Sequence, residues 1–243
     1  MKKIKLIIVA CLFAGSLCAQ TEIIAHRGFW NCEGSAQNSI SSLTNAQREK
    51  LYGSEVDVHA TLDGVVVANH DNDIDDLIIG EKTFEQLQNI RLKNGEKLPT
   101  LKQHLDVLSK NPSTKLIIEV KTKDTPEEEA RIVDLVLCLV AESKMEKHVE
   151  YISFSQYICR QLKRKNPAVT VAYLSGSAET ALTPQELKAE GFDGLDYHYK
   201  LIADHPDWIK EAKDLGLTTN VWTVNDEATM KEILQLKADY ITT

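Results

Sequence analysis

Two histidines, an arginine, a lysine and three carboxylates punctuate the apolar runs of this chain, and their order constrains the chemistry. His26 and Arg27 end the run Ile23-Ile24-Ala25. Glu55 and Asp57 alternate with Ser54, Val56 and Val58. His70 follows Val65-Val66-Val67-Ala68-Asn69, and Glu119 and Lys121 close Leu116-Ile117-Ile118. In a strand, residues two apart face the same way, so Glu55 projects with Asp57 and Glu119 with Lys121. Three carboxylates with no cysteine or third histidine beside them form a hard oxygen set. Such a set favours one divalent cation, Mg²⁺ or Ca²⁺, over zinc. Arg27 offers a planar fork for a phosphate and Lys121 a compact positive charge. His26 and His70 suit proton transfer in both directions near neutrality. Any one of these groups alone is an ordinary surface or salt-bridge residue. Together, at successive strand ends, they need a common partner, because isolated buried charge is costly.

The surrounding pattern supplies the frame. Strand-like runs fall at 22–25, 53–58, 115–120, 150–154, 170–174, 194–197, 219–224 and 238–242. Helical patterns fall at 38–50, 101–109, 126–143, 156–165, 184–190, 206–215 and 227–236. Pro126 followed by three glutamates is a strong helix start, since proline fits the first turn and acids favour the positive end. Eight strands joined by crossover helices predict an α/β fold, the (β/α)8 TIM barrel. The run 65–69 does not fit as a ninth barrel strand. It follows Asp63-Gly64, a tight-turn signal. Residues 58–69 therefore read as a hairpin arm after the second strand, folding His70 back over the barrel mouth. Chemistry in these barrels sits at the carboxyl ends of the strands. His26 and Arg27, then Glu55 and Asp57, then Glu119 and Lys121 all reach that rim.

Bulk properties narrow the partners. The chain has 243 residues and a net charge of −8, which gives no electrostatic footprint for nucleic acid. Its basic cluster, Lys163-Arg164-Lys165, ends a predicted helix, where positive charge complements the dipole. The expected partner is a small-molecule phosphodiester. Residues 1–19 read as a signal peptide: three early lysines, a short apolar run and small residues before Gln20. The run is too short to span a bilayer. An exported protein, periplasmic or extracellular, is expected, with 20–243 as one domain. The alternative is a lipid anchor at the lipobox-like segment 8–11. Cys32, Cys138 and Cys159 are too few for a disulfide framework and wrongly spaced for zinc. Cys138 is expected in the core. Among the other histidines, His59 is a candidate neighbour of the rim and His198 of the head group. His104, His148 and His205 are expected on the surface.

The ordered pieces IAHRG at 24–28, SEVDV at 54–58, TLDGVVVANHD at 61–71, LPTL at 98–101, KLIIEVK at 115–121, ISFS at 152–155, VWTVND at 221–226 and ADYITT at 238–243 resemble the glycerophosphodiester phosphodiesterases. These belong to the phospholipase-C-like phosphodiesterase barrels, and the resemblance spans nearly all of 20–243. It implies a metal on Glu55, Asp57 and Glu119, with His26 and His70 as acid and base and Arg27 and Lys121 on the phosphate. It also implies Trp222 against the glycerol, although ordinary core packing is an equal reading of that residue. Asn225 reads equally as helix cap or ligand. The implied reaction is metal-dependent release of glycerol 3-phosphate and an alcohol. The alternatives are a related activity on lysophospholipid, sphingomyelin or teichoic-acid-type substrates, or a catalytically silent binding protein. Two departures stand out. Ala36-Gln37-Asn38 replaces the usual Pro-Glu-Asn, and the segment 71–97 is short. Its apolar pieces, Leu77-Ile78-Ile79 and Phe84, are expected to cover a shallower mouth.

Overall fold

A computed structural model describes residues 20–243; the predicted signal peptide, 1–19, lies outside the described residues. Apolar β-branched runs form strands β1 (Glu22–Ala25), β2 (Gly53–Ala60), β3 (Val66–Ala68), β4 (Asp73–Ile74), β5 (Leu77–Ile78) and β6 (Lys115–Val120). They continue as β7 (Val149–Ser153), β8 (Val171–Ser175), β9 (Gly194–His198), β10 (Thr218–Trp222) and β11 (Tyr240–Thr242). The helices are α1 (Ile40–Arg48), α2 (Phe84–Leu87), α3 (Leu101–Lys110), α4 (Pro126–Glu142), α5 (Gln156–Lys165), α6 (Pro184–Glu190), α7 (Tyr199–Asp204), α8 (Asp207–Asp214) and α9 (Glu227–Leu236).

Strand order runs β1-β11-β10-β9-β8-β7-β6-β2, and β1 pairs with β2 to close the ring. All eight pairings are parallel, so this is the expected (β/α)8 barrel. β3 adds outside the ring, antiparallel to β2, with Val58 opposite Ala68 and Ala60 opposite Val66. This is the predicted hairpin arm, and the extra pairing extends β2 to Ala60, two residues beyond the sequence expectation.

Local sequence explains the helix starts. Thr125 accepts from the Glu128 amide, Glu128 reciprocates, and Pro126 occupies the first turn of α4. Thr100 and Gln103 cap α3 in the same way, as Thr183 and Glu186 cap α6. α1 begins at Ile40 rather than at 38, because Ser39 is its N-cap and Asn38 takes a left-handed φ of 58°. The main core lies between the barrel wall and the helices. A smaller cluster of Ile24, Ile117, Ile152 and Leu174 joins strands β1, β6, β7 and β8.

Three expectations are corrected by packing. Cys138 is exposed, because α4 buries Ile132, Val133, Val136 and Val140, a face that position 138 does not share. His104 is buried in α3 on the stripe Leu101, His104, Leu105 and Leu108, and its Nδ1 lies 3.2 Å from the Thr100 carbonyl. Ile79 and Phe84 do not cover the mouth; they pack with Val67, Leu87 and Leu98 behind β3. Among the described residues no helix is long and apolar enough to cross a membrane.

Candidate active site

The loop after β1 is shaped by backbone that few residues tolerate. Arg27 and Gly28 both take positive φ, 58° and 80°. A Cβ on Gly28 would sit 2.2 Å from the Ser42 hydroxyl, so glycine is what lets this loop press against α1. The turn aims the Arg27 amide at Glu55, where its N–H donates to Oε2 at 2.7 Å. The Arg27 guanidinium donates to the Gln37 side-chain oxygen at 2.8 Å. Gln37 thus orients the arginine with an amide oxygen where the family pattern has a carboxylate.

Asn38 joins this loop to β2. Its amide donates to Asp57 Oδ2 at 2.9 Å, and its oxygen accepts the Asp57 backbone N–H at 3.0 Å. Asn38→Gly keeps the left-handed backbone at little cost and removes both bonds. We expect it to lower stability by about 1–3 kcal/mol, the cost of leaving a buried polar group unpaired. An unchanged urea midpoint would contradict the bridging role.

Glu55, Asp57 and Glu119 are all buried, and one oxygen from each lies within 4.8 Å of the others. Lys121 Nζ bridges two of them, 3.1 Å from Asp57 and 2.7 Å from Glu119. Burial and the neighbouring acids Asp57 and Glu119 hold the Glu55 carboxyl well above the usual range. Burial and Asp57 push Glu119 up to about 7. Burial also opposes ionisation of Asp57, but Lys121 and the Asn38 amide outweigh it and keep that carboxyl low. Glu55 Oε1 and Arg27 Nε are buried with no hydrogen-bond partner. An unpartnered acceptor on a crowded acidic cluster fits a cation, and a guanidinium N–H that has only the Asp57 carboxylate at 3.7 Å beside it has room for a closer anion. Fully ionised, the three carboxylates against Arg27 and Lys121 would leave one negative charge. A divalent cation turns that into one positive charge, which a phosphodiester anion neutralises.

His26, Arg27, Glu55, His70, Glu119 and Lys121 line one cavity of about 290 Å³ at the barrel mouth. Trp222 lines it too, and Asp57 lies behind the wall. The structure therefore brings all eight residues singled out from sequence to one place. Burial, then the Arg27 charge, lowers His26 to about 4, so its imidazole is neutral near pH 7. His70 Nδ1 lies 2.7 Å from Asp71 Oδ1. A carboxylate only accepts, so Nδ1 carries a proton. His59, the rim candidate, sits behind His70: its Nε2 is 3.3 Å from the His70 carbonyl and its Nδ1 2.8 Å from Lys123 Nζ.

Phe154, Asp196, Asn220 and Thr242 also line the cavity, beyond the eight residues that the sequence singles out. Period-two alternation along β9 and β10 would have found Asp196 below His198 and Asn220 below Trp222. Trp222 is anchored by its Nε1 donating to the Asp196 carbonyl at 2.8 Å, with Phe154 edge-on at 5.6 Å. His198 packs edge-on against Trp222 at 5.0 Å, a neighbour of the indole rather than part of the lining. Asp226, not Asn225, caps α9; Asn225 accepts from the Thr243 hydroxyl instead.

A parallel barrel carrying acids, histidines and cations at its carboxyl-end rim suits a phosphoryl ester, and comparison with known proteins gives the class. Residues 26–243 match the model of the glycerophosphoryl diester phosphodiesterase family. The chain belongs to this family and is an enzyme of that class, as its motifs suggested. It is 24% identical to a glycerophosphodiester phosphodiesterase of Caldanaerobacter subterraneus, over 92% of this chain and 94% of that protein. A crystal structure of a glycerophosphodiester phosphodiesterase from Parabacteroides distasonis is 48% identical, with a TM-score of 0.89 and 93% coverage of both chains. An Oleispira antarctica phosphodiesterase, solved in complex with the product sn-glycerol-3-phosphate, shares the fold at 20% identity and a TM-score of 0.76, over 92% of each chain.

Proposed function

We propose that this protein hydrolyses glycerophosphodiesters to glycerol 3-phosphate and an alcohol, and that it needs a divalent cation, Mg²⁺ or Ca²⁺, to do so. One observation carries the reading. A buried acidic triad with a free Glu55 oxygen shares its cavity with Arg27, Lys121 and two histidines. The product bound in the Oleispira relative supports the choice of glycerol ester.

Glu55, Asp57 and Glu119 would hold the cation, which supplies positive charge against a phosphoryl oxygen as negative charge builds there. The remaining work falls to side chains of this chain. Arg27 and Lys121 bind and orient the phosphate. His26 Nε2 or Nδ1, neutral beside Arg27, takes the proton from the attacking group: either water, or the neighbouring glycerol hydroxyl in a route through a cyclic phosphate that water then opens. His70 Nε2, with Asp71 holding Nδ1–H, donates a proton to the departing alkoxide. Trp222 gives the glycerol a flat apolar wall.

A panel of glycerophosphocholine, glycerophosphoethanolamine, lysophosphatidylcholine and sphingomyelin tests the substrate class. Release of glycerol 3-phosphate from the first two, at least tenfold faster in kcat/KM than turnover of the lipids, is expected; the reverse order would overturn it.

A further inference from the structure

On β9 the same cavity holds a second polar cluster, near enough to the triad for Asp196 to feel the charge of Glu119. Asp196 is only 2% exposed and lines the cavity, yet its Oδ1 has no hydrogen-bond partner. A buried carboxyl oxygen left alone carries an uncompensated desolvation cost, and the fold does not ask for it. Asp196 pairs in register with Leu174 on one side and Asn220 on the other. An apolar residue there would extend the Ile24, Ile117, Ile152 and Leu174 cluster. Asn220 and Thr242 also line the cavity, and they bond each other at 2.8 and 3.1 Å. This cluster therefore presents a carboxyl, an amide and a hydroxyl. Arg27 and Lys121 follow the ends of β1 and β6, where the proposed function puts the phosphate, so the cluster on β9, β10 and β11 is left for the organic part of a bound ester.

We propose that Asp196 is a specificity-determining residue that accepts a hydrogen bond from a hydroxyl of the alcohol esterified to the phosphate, so that the enzyme selects polyol phosphate esters over simple alkyl ones. The inference rests on the phosphodiester reading of the same site. Its logic is that a site built to receive a hydroxyl rejects the analogue lacking it, because the buried acceptor stays unpaired. A quaternary ammonium head group has no N–H to offer this oxygen, whereas a polyol has several O–H donors. Those hydroxyls come from the glycerol half or from a polyol head group.

The test is calorimetric binding of glycerol 3-phosphate, inositol 1-phosphate and propyl phosphate to the full chain with Ca²⁺. The wild type is expected to bind a polyol phosphate at least about tenfold more tightly than propyl phosphate. A preference for glycerol 3-phosphate assigns Asp196 to the glycerol half, and one for inositol 1-phosphate to the head group. Asp196→Ala should bring the preferred ratio close to one while propyl phosphate binding holds, and Asp196→Asn, which keeps one acceptor oxygen, should restore part of it. Equal binding of all three by the wild type, or a ratio that survives Asp196→Ala, would overturn the proposal. So would a loss shared equally by polyol and alkyl esters. Binding is read without turnover, so a failure to hydrolyse glycerophosphodiesters would undo the proposed activity and leave this result standing.

Discussion

Replacing His26 or His70 with glutamine is expected to lower kcat on glycerophosphocholine by about 10²–10⁴-fold, the usual contribution of a positioned acid or base. The two losses should differ in their response to the leaving group. His26 is buried beside Arg27, which disfavours its imidazolium and leaves it neutral above about pH 4. Its removal takes away the proton acceptor. His70 is held at Nδ1 by Asp71, which fixes the ring's orientation for donation from Nε2. A substrate with a better leaving group, such as a nitrophenyl phosphodiester, should therefore rescue His70→Gln far more than His26→Gln. Both variants should keep the wild-type unfolding midpoint within a few degrees, since neither side chain joins a core cluster. Turnover within threefold of wild type in either variant would contradict the assignment.

The second large effect concerns the cation. At pH 7.5, saturating Mg²⁺ or Ca²⁺ should stabilise the protein by roughly 3 kcal/mol at a hundredfold excess over the dissociation constant. In a chain of this length that raises Tm by about 5–10 °C. The pH dependence follows from the raised carboxyls. The folded-state pKa of Glu119, about 7, lies above its ordinary 4.5, and that of Glu55 is raised in the same direction. Between the ordinary and raised values the cation-free fold holds protons that the unfolded chain has lost. The stability from these protonated acids is fully present below about pH 4.5 and is lost as pH rises through the raised values. A bound cation displaces those protons, so its stabilising effect grows with pH. The Tm gain should be small at pH 5 and large at pH 7.5. Glu55→Gln should remove most of it by taking away the oxygen that has no other partner. A gain independent of pH, or intact in Glu55→Gln, would place the cation elsewhere.

Sequence carried the reactive wall of the site because strand alternation and strand-end position suffice to place it. Glu55 with Asp57 and Glu119 with Lys121 share faces by period two, and the Asp63-Gly64 turn set His70 back over the mouth. The barrel itself was legible because its strands are short apolar runs between capped helices. What escaped depended on contacts between distant segments. Asp196 and Asn220 looked like ordinary strand residues until β9 and β10 were paired and their inward faces aligned. Lys123 is far from His59 in sequence, and only the closeness of β2 and β6 brings the two together. His104 shows the opposite failure: its place on the buried stripe of α3 was readable, but its polar side chain suggested the surface. Gln37 lacks the charge of the glutamate usual in the motif, yet its oxygen still holds Arg27, a contact that sequence alone does not show.

The most direct test of the central claim is a ³¹P NMR time course of glycerophosphocholine with the purified protein and Ca²⁺ or Mg²⁺. The account predicts that the diester resonance is replaced by that of glycerol 3-phosphate, that a chelator stops the conversion, and that restored cation resumes it. Folded, cation-loaded protein that leaves the diester resonance unchanged, or conversion that proceeds at full rate in chelator, would contradict it.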